Sequence, residues 1–355
     1  MARMSAPDPK PDVALAPYCT LGVGGPARWL VHARDEDAML GAFAWAKSHG
    51  LPLRVLGGGS NVVVADAGVD AVVVRMDLRG VTTRATADAV EVTAAAGEPW
   101  DALVALAVDN GWAGLECLSG IPGLVGATPI QNVGAYGQDV SETVTTVRAL
   151  DTETGRVLTL GNDACAFAYR DSRFKSREPG RHVILSVTYR LVPGGAPRLR
   201  YAEVTRHLQT RGLARPSLGD VRESVLAIRR SKSMTIDSGD ENRRSCGSFF
   251  TNALVTAADA DRVARVTGDP ALPRWPEPDG RVKLSSAWLI EHAGFARGHR
   301  EGPVGLSTRH ALALVAHDGA RAADVMAFAR RVTAAVQARF GVRLTPEPVF
   351  WGFDA

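Results

Sequence analysis

Nowhere in the 355 residues does an apolar run approach the roughly 18 that a membrane-crossing helix requires. The first dozen residues, rich in Pro, Asp, Lys and Ala, lack the apolar stretch of a secretory leader. They read as a frayed tail of a cytoplasmic protein that does not associate with membranes. Cysteine is scarce: Cys19, Cys117, Cys165 and Cys246 are the four, and none forms a close pair. That spacing argues against zinc or a dithiol, and no metal site is expected; reduced thiols are the simple reading. Charge of one sign is missing too, with 41 Lys and Arg against 38 Asp and Glu. Bulk charge therefore indicates no nucleic-acid surface, although a local basic pocket stays open.

What is present is glycine in two telling places. Gly57-Gly-Gly-Ser-Asn61 separates two short β-branched runs, and Ser119-Gly-Ile-Pro-Gly-Leu-Val-Gly126 follows at a distance. Backbone poor in side chains beside buried strands lets N–H groups close on phosphate oxygens. Two such stretches suggest a large diphosphate-containing cofactor. Neither is the Gly-x-Gly-x-x-Gly of a nicotinamide-binding unit nor the Gly-Lys-Ser/Thr of a triphosphatase, which points toward a flavin on a different fold.

The apolar patterning predicts strands at Ala27–Val31, Leu53–Leu56, Val62–Val64 and Val72–Arg75, with a helix at Glu36–Ser48 capped by Asp35 and stopped by Gly50. A second segment starts near Val81 and ends near Arg229. It carries strands at Val90–Ala94, Thr146–Leu150 and Val183–Leu191 and a helix at Trp100–Asn110. Polar residues Met234 to Arg244 read as a surface loop and a domain boundary. In the third segment Val325, Phe328, Val332, Val336 and Phe340 keep helical spacing up to Gly341, and the stretch 342–350 reads as a strand.

Several residues carry two readings each. Arg170, in Tyr169-Arg-Asp-Ser172, is either a surface cation or a guanidinium held on an aromatic platform for a carboxylate. Ser248, before Phe249 and Phe250, is a turn cap or a shielded proton donor; nearby Cys246 competes as a redox thiol. The run Arg229-Arg-Ser-Lys232, with Lys283, is a solvated surface or a clamp on an anionic substrate, most simply a diphosphate. Glu347, between Pro346 and Pro348, is a strand-edge carboxylate or a tuned one.

From about Thr20 to about Gly352 the chain resembles the UDP-N-acetylenolpyruvoylglucosamine reductase (MurB-type) family. The resemblance rests on Thr20-Leu-Gly-Val-Gly-Gly25, Leu56-Gly-Gly-Gly-Ser-Asn61, Gly114-Leu-Glu116, Ile121-Pro-Gly123, Pro129-Ile-Gln-Asn-Val-Gly-Ala-Tyr-Gly137, Tyr169-Arg-Asp-Ser172, Gly247-Ser-Phe-Phe250 and Pro346-Glu347, in this order. It implies an α+β, three-domain FAD-binding protein. The cofactor part would have the vanillyl-alcohol-oxidase/PCMH-like fold, followed by a C-terminal α+β substrate-binding domain. The implied parts are 13–80 plus 342–355 and 81–232 for FAD, 233–341 for substrate, and a disordered tail over 1–12. The implied chemistry is NADPH-dependent, FAD-mediated reduction of UDP-N-acetylglucosamine enolpyruvate to UDP-N-acetylmuramate in peptidoglycan precursor synthesis, by a monomer.

By the same resemblance Arg170 and Glu347 stabilise an enolate-like state and Ser248 gives its proton. Non-covalent FAD would lie on Gly57, Gly58, Gly59, Ser60, Asn61, Ile121, Pro122, Gly123, Ala127 and Thr128, with Arg170 and Arg229. Tyr201, a mark of the subtype with an extra substrate-covering loop, would join Lys232, Asn252 and Lys283 on the UDP portion. NADPH would share the substrate channel, so substrate inhibition is expected. Cys19, Thr251 and Leu254 depart from the family pattern. An alcohol oxidase of the same fold and a UDP-sugar sensor are the rival readings. The oxidases often tether FAD through His or Cys, and no His lies in Gly57 to Asn61. Retention of Arg170, Ser248 and Glu347 together opposes the sensor.

Overall fold

The structure, a computed structural model, describes residues 7–269, 272–277 and 279–353. Its packing forms two compact units. One takes the chain up to Val13 with Ala27–Gly58 and Asp70–Thr235; the other takes Ala14–Pro26, Gly59–Val69 and the chain from Ile236.

The N-terminal strands are β1 (Lys10–Ala14), β2 (Pro26–Ala33), β3 (Leu53–Leu56), β4 (Val62–Val64) and β5 (Val69–Met76), with helix α1 at Glu36–Ser48. The sheet order is β1-β2-β5-β3, and β3 runs parallel to β5. The frayed tail expected through residue 12 therefore ends earlier, because Lys10–Ala14 finds a neighbour in β2; residues 1–6 of that tail lie outside the described residues. Asp35 caps α1 as expected, accepting from the Ala38 N–H at 2.7 Å. Met39, Ala42 and Ala46 bury, while Leu40 and Phe43 pack at the margin.

A larger antiparallel sheet follows. Its strands are β6 (Val81–Ala85), β7 (Val90–Ala95), β8 (Trp112–Ala113), β11 (Val144–Asp151), β12 (Arg156–Gly161) and β13 (His182–Pro193), with helix α2 (Trp100–Asp109) between β7 and β8. Small elements interrupt the sequence: α3 (Thr128–Gln131), β9 (Gly134–Ala135), β10 (Gln138–Asp139) and α4 (Asn162–Cys165). The order is β12-β11-β13-β7-β6, with β8 on the end of β13. β13 is the centre because Val187, Tyr189 and Leu191 alternate inward while Ser186, Thr188 and Arg190 do not. Helices α5 (Ala202–Thr210) and α6 (Leu218–Ser231) close on a small core of Cys117, Val204, Leu208, Val221, Val225 and Ile228.

In the second unit β14 (Ala253–Val255), β15 (Arg274–Pro276) and β16 (Val282–Leu284) form one sheet in the order β14-β16-β15. β17 (Arg300–Glu301), β18 (Val304–Leu306) and β19 (Leu314–Ala316) form another. Helices α7 (Ala257–Thr267), α8 (Ser286–His292) and α9 (Ala322–Phe340) accompany them. The five apolar residues picked out in α9 are all buried, and Gly341 ends the helix at φ +66°. Its first N–H groups, Ala322 and Ala323, donate to Asp66 at 2.8 and 3.0 Å. The strand expected over 342–350 shortens to β20 (Val349–Trp351), which pairs in parallel with β4. Two prolines around Glu347 remove the ladder donors that a longer strand would need.

Candidate active site

The two glycine stretches meet. A Cβ on Gly58 would lie 2.9 Å from the Gly123 Cα, so their backbones approach as only glycine allows. The next residue is tighter. Gly59 sits at φ +65°, and a Cβ there would fall 1.9 Å from the Tyr18 carbonyl. Its own carbonyl accepts from the Thr20 N–H at 3.0 Å, and the Thr20 hydroxyl donates to the Ser245 carbonyl at 2.6 Å. The Thr20 motif thus fixes the turn.

Asp101, which sequence reasoning passed over, holds the second stretch. It accepts from the Gly120 N–H at 2.6 Å and from both Arg222 amino groups at 2.6 and 2.9 Å. Burial alone would raise its carboxyl, but Arg222 and that N–H outweigh burial and leave it below its ordinary 3.8. Nothing in Asp101's own neighbourhood announces this; the only signal is that a glycine turn's N–H groups need acceptors. Arg229 donates to the carbonyls of Gly120 at 3.2 Å and Met234 at 2.6 Å. Its burial depresses the guanidinium, and Tyr136 beside it is pushed up to about 12, chiefly by burial. Ile121, Pro122 and Gly123 are half-buried and Ala127 is exposed. Thr128 turns inward, its hydroxyl donating to the Val125 carbonyl and meeting the Tyr189 hydroxyl, each at 2.8 Å. Its hydroxyl is thereby committed inside the fold.

Arg170 occupies a two-residue turn closed by mutual hydrogen bonds between Ala168 and Asp171. The turn forces it to φ +53°. Its Nη2 donates to the Gly134 carbonyl at 2.5 Å, Nη1 stands 3.8 Å from Asp139 Oδ1, and the guanidinium lies 5.3 Å from the Tyr169 ring centre. The surface reading fails: the side chain is 24% exposed and held on the aromatic platform expected.

Ser248 and Glu347 come together in the second unit. The Glu347 N–H donates to the Phe249 carbonyl at 2.9 Å, and Phe250 bridges to Pro346. Phe249 and Phe250 are wholly buried and anchor this pairing, while Ser248 and Glu347 stay half-buried. No described residue hydrogen-bonds the Ser248 hydroxyl, so the turn-cap reading fails. Asn61 joins them: its carbonyl accepts from the Val349 N–H at 3.0 Å, and its side chain reaches the Glu347 carbonyl at 3.5 Å. Ser60 and Asn61 are half-buried. Cys246 is closed as a redox thiol, because burial, then the Glu347 charge, pushes it up to about 12.

The supposed cation run Arg229 to Lys232 is the end of α6, and the helix separates its members. Arg229 is buried, Arg230 exposed, and Lys232 half-buried with its Nζ 2.7 Å from Glu203. Tyr201 begins α5 and meets Tyr136 edge to face at 5.5 Å. In the second unit Lys283 donates to Glu277 at 2.7 Å, and Asn252 accepts from the Ser286 N–H at 3.2 Å. Among the described residues no cluster of three or more His, Cys, Asp or Glu could hold a metal ion, and no helix is long and apolar enough to cross a membrane.

Residues 27–161 match the family model of an FAD binding domain. Residues 239–351 match that of the UDP-N-acetylenolpyruvoylglucosamine reductase C-terminal domain. The chain is 47% identical to the UDP-N-acetylenolpyruvoylglucosamine reductase of Thermobifida fusca, over 96% of this chain and 97% of that one. It is 49% identical to that of Saccharopolyspora erythraea, over 95% and 94%. Its fold matches the crystal structure of the reductase from Thermus caldophilus with a TM-score of 0.64, at 25% identity over 97% of this chain and 99% of that one.

Proposed function

The chain belongs to the UDP-N-acetylenolpyruvoylglucosamine reductase family, flavin-binding oxidoreductases of peptidoglycan precursor synthesis, and we propose that it reduces UDP-N-acetylglucosamine enolpyruvate to UDP-N-acetylmuramate with NADPH as electron donor. The residues fit FAD: the backbone approach of Gly58 to Gly123 makes a side-chain-free edge of the kind a diphosphate needs. Gly57 to Asn61, Ile121 to Gly123 and the Ala127–Thr128 backbone would hold it, with Arg229 bracing the second stretch. Bound there, FAD would supply the hydride chemistry that links NADPH to C3 of the enolpyruvyl double bond.

Negative charge then develops at C2 and spreads into the substrate carboxylate. Arg170 meets it with a guanidinium already oriented, which makes its contribution larger than a mobile cation's. Glu347 shares that task, as hydrogen-bond donor when protonated or as orienter when ionised. Ser248 delivers the proton to C2. Tyr201, Lys232, Asn252 and Lys283 contact the UDP portion, the two lysines exchanging Glu203 and Glu277 for phosphate. In this reading residues 13–80 with 342–355, and 81–232, serve FAD, and 233–341 serve substrate, in a cytoplasmic monomer.

One observation carries the proposal: the Glu347 N–H donates to the Phe249 carbonyl and so joins the Glu347 segment to the one carrying Ser248, whose hydroxyl no described residue engages. Stopped-flow absorbance of the two half-reactions tests it. Ser248→Ala should slow flavin reoxidation by substrate by about 10²–10⁴ and leave reduction by NADPH nearly intact. Equal loss in both half-reactions would refute the assignment.

A further inference from the structure

The hairpin of β9 and β10 has no role in the chemistry so far, yet it sets Gly134 opposite Asp139, and both face Arg170. Gly134 offers its carbonyl to Nη2 at 2.5 Å, and Asp139 offers Oδ1 to Nη1 at 3.8 Å. The fit is close: a Cβ on Gly134 would fall 1.5 Å from Asp139 Oδ1 and 3.0 Å from Arg170 Nη1. The hairpin is itself buttressed from inside. Glu116, wholly buried, accepts from Gln138 Nε2 at 2.8 Å, from the Gly114 N–H at 2.8 Å and from the Arg198 N–H at 3.2 Å. Gln138 Oε1 in turn accepts from the Cys117 N–H at 2.8 Å. A buried polar network satisfied in this way is rigid, and it holds Gln138, the residue next to Asp139 in β10.

We propose that Asp139 is a positioning residue: with the Gly134 carbonyl it fixes the rotation of the Arg170 guanidinium toward the carboxylate that gains charge. The proposal rests on the role given to Arg170 above. The ion pair cannot be there for stability, because it is long and Asp139 is 44% exposed, and such pairs contribute little to folding. Orientation is another matter, since a misplacement of about 1 Å at a reacting group can cost about 100-fold in rate.

Asp139→Asn should slow flavin reoxidation by the enolpyruvyl substrate about 10- to 100-fold. Flavin reduction by NADPH should stay unchanged, and the melting temperature should stay within about 3 °C. Gly134→Ala should reproduce the loss, because the new methyl group must push the Asp139 carboxylate aside. The decisive comparison is a double-mutant cycle with Arg170→Ala. Where Arg170 is already gone, Asp139→Asn should change reoxidation by less than about twofold. Calorimetric titration of the oxidised protein with the substrate gives a readout independent of turnover, and there too the two substitutions should not add. Multiplicative losses, or reoxidation unchanged in Asp139→Asn while Arg170→Ala is slow, would overturn the positioning role alone. Normal reoxidation in Arg170→Ala would overturn both it and the reading beneath it.

Discussion

Arg170 is gripped by its own side chain, whereas Ser248 is gripped only by its neighbours' backbone. The guanidinium has a carbonyl, a carboxylate and an aromatic ring around it, and its main chain is bent into the left-handed region. The serine hydroxyl has no described partner; Phe249 and Phe250, sunk in the core, hold the chain on either side of the Glu347 segment instead. The difference matches the task proposed for each. A group that stabilises developing charge acts through prior orientation. A proton donor must have a hydrogen not already committed elsewhere.

The widest effect tests the serine side of that contrast, in the half-reaction split already given for Ser248→Ala. Removing the anchor instead of the hydroxyl should act through folding: Phe250→Ala should cost about 3–5 kcal/mol, read by urea unfolding. If its unfolding midpoint is unmoved, the aromatic pair does not hold the serine.

The contrast was partly legible in the sequence. The α1 cap, the α9 stripe and strands β3 and β4 could be read because each depends on local spacing. The glycine stretches could be read as a backbone surface, and the resemblance named Arg170, Ser248 and Glu347. Other features could not be read locally. Helix α6 was missed, so a helix end passed for a cation cluster, although a buried Arg229 and an exposed Arg230 in succession follow from helical geometry. Asp101 and Asp139 each act on a glycine distant in sequence or across a hairpin, and no short-range pattern marks such a pairing.

Smaller effects sharpen the comparison on the cofactor side. Asp101→Asn should weaken FAD binding about fivefold, with a partly exposed charge-assisted bond discounted for solvent. Reconstitution of the deflavinated protein, followed by flavin fluorescence, measures it; unchanged affinity would remove Asp101 from the support of the second glycine stretch. The smallest effect is its pH dependence. Because the folded carboxyl titrates below its ordinary 3.8, its contribution is complete above about pH 4 and fades as pH falls from there toward the folded value. The melting-temperature gap between the parent chain and Asp101→Asn should therefore be constant from pH 5 to 7 and narrow below pH 4. A gap that widens in acid would contradict the direction of the shift.

The parallel pairing of β20 with β4 also dictates the order of events during synthesis. Asn61 and Glu347 stand 286 positions apart, so the segment leaving the glycine turn emerges from the ribosome long before its partner exists. Contacts of such span form slowly and late. Until Val349–Trp351 is translated, β4 lacks its parallel partner, and the Glu347 segment that leads into β20 is not yet held against the Phe249 carbonyl.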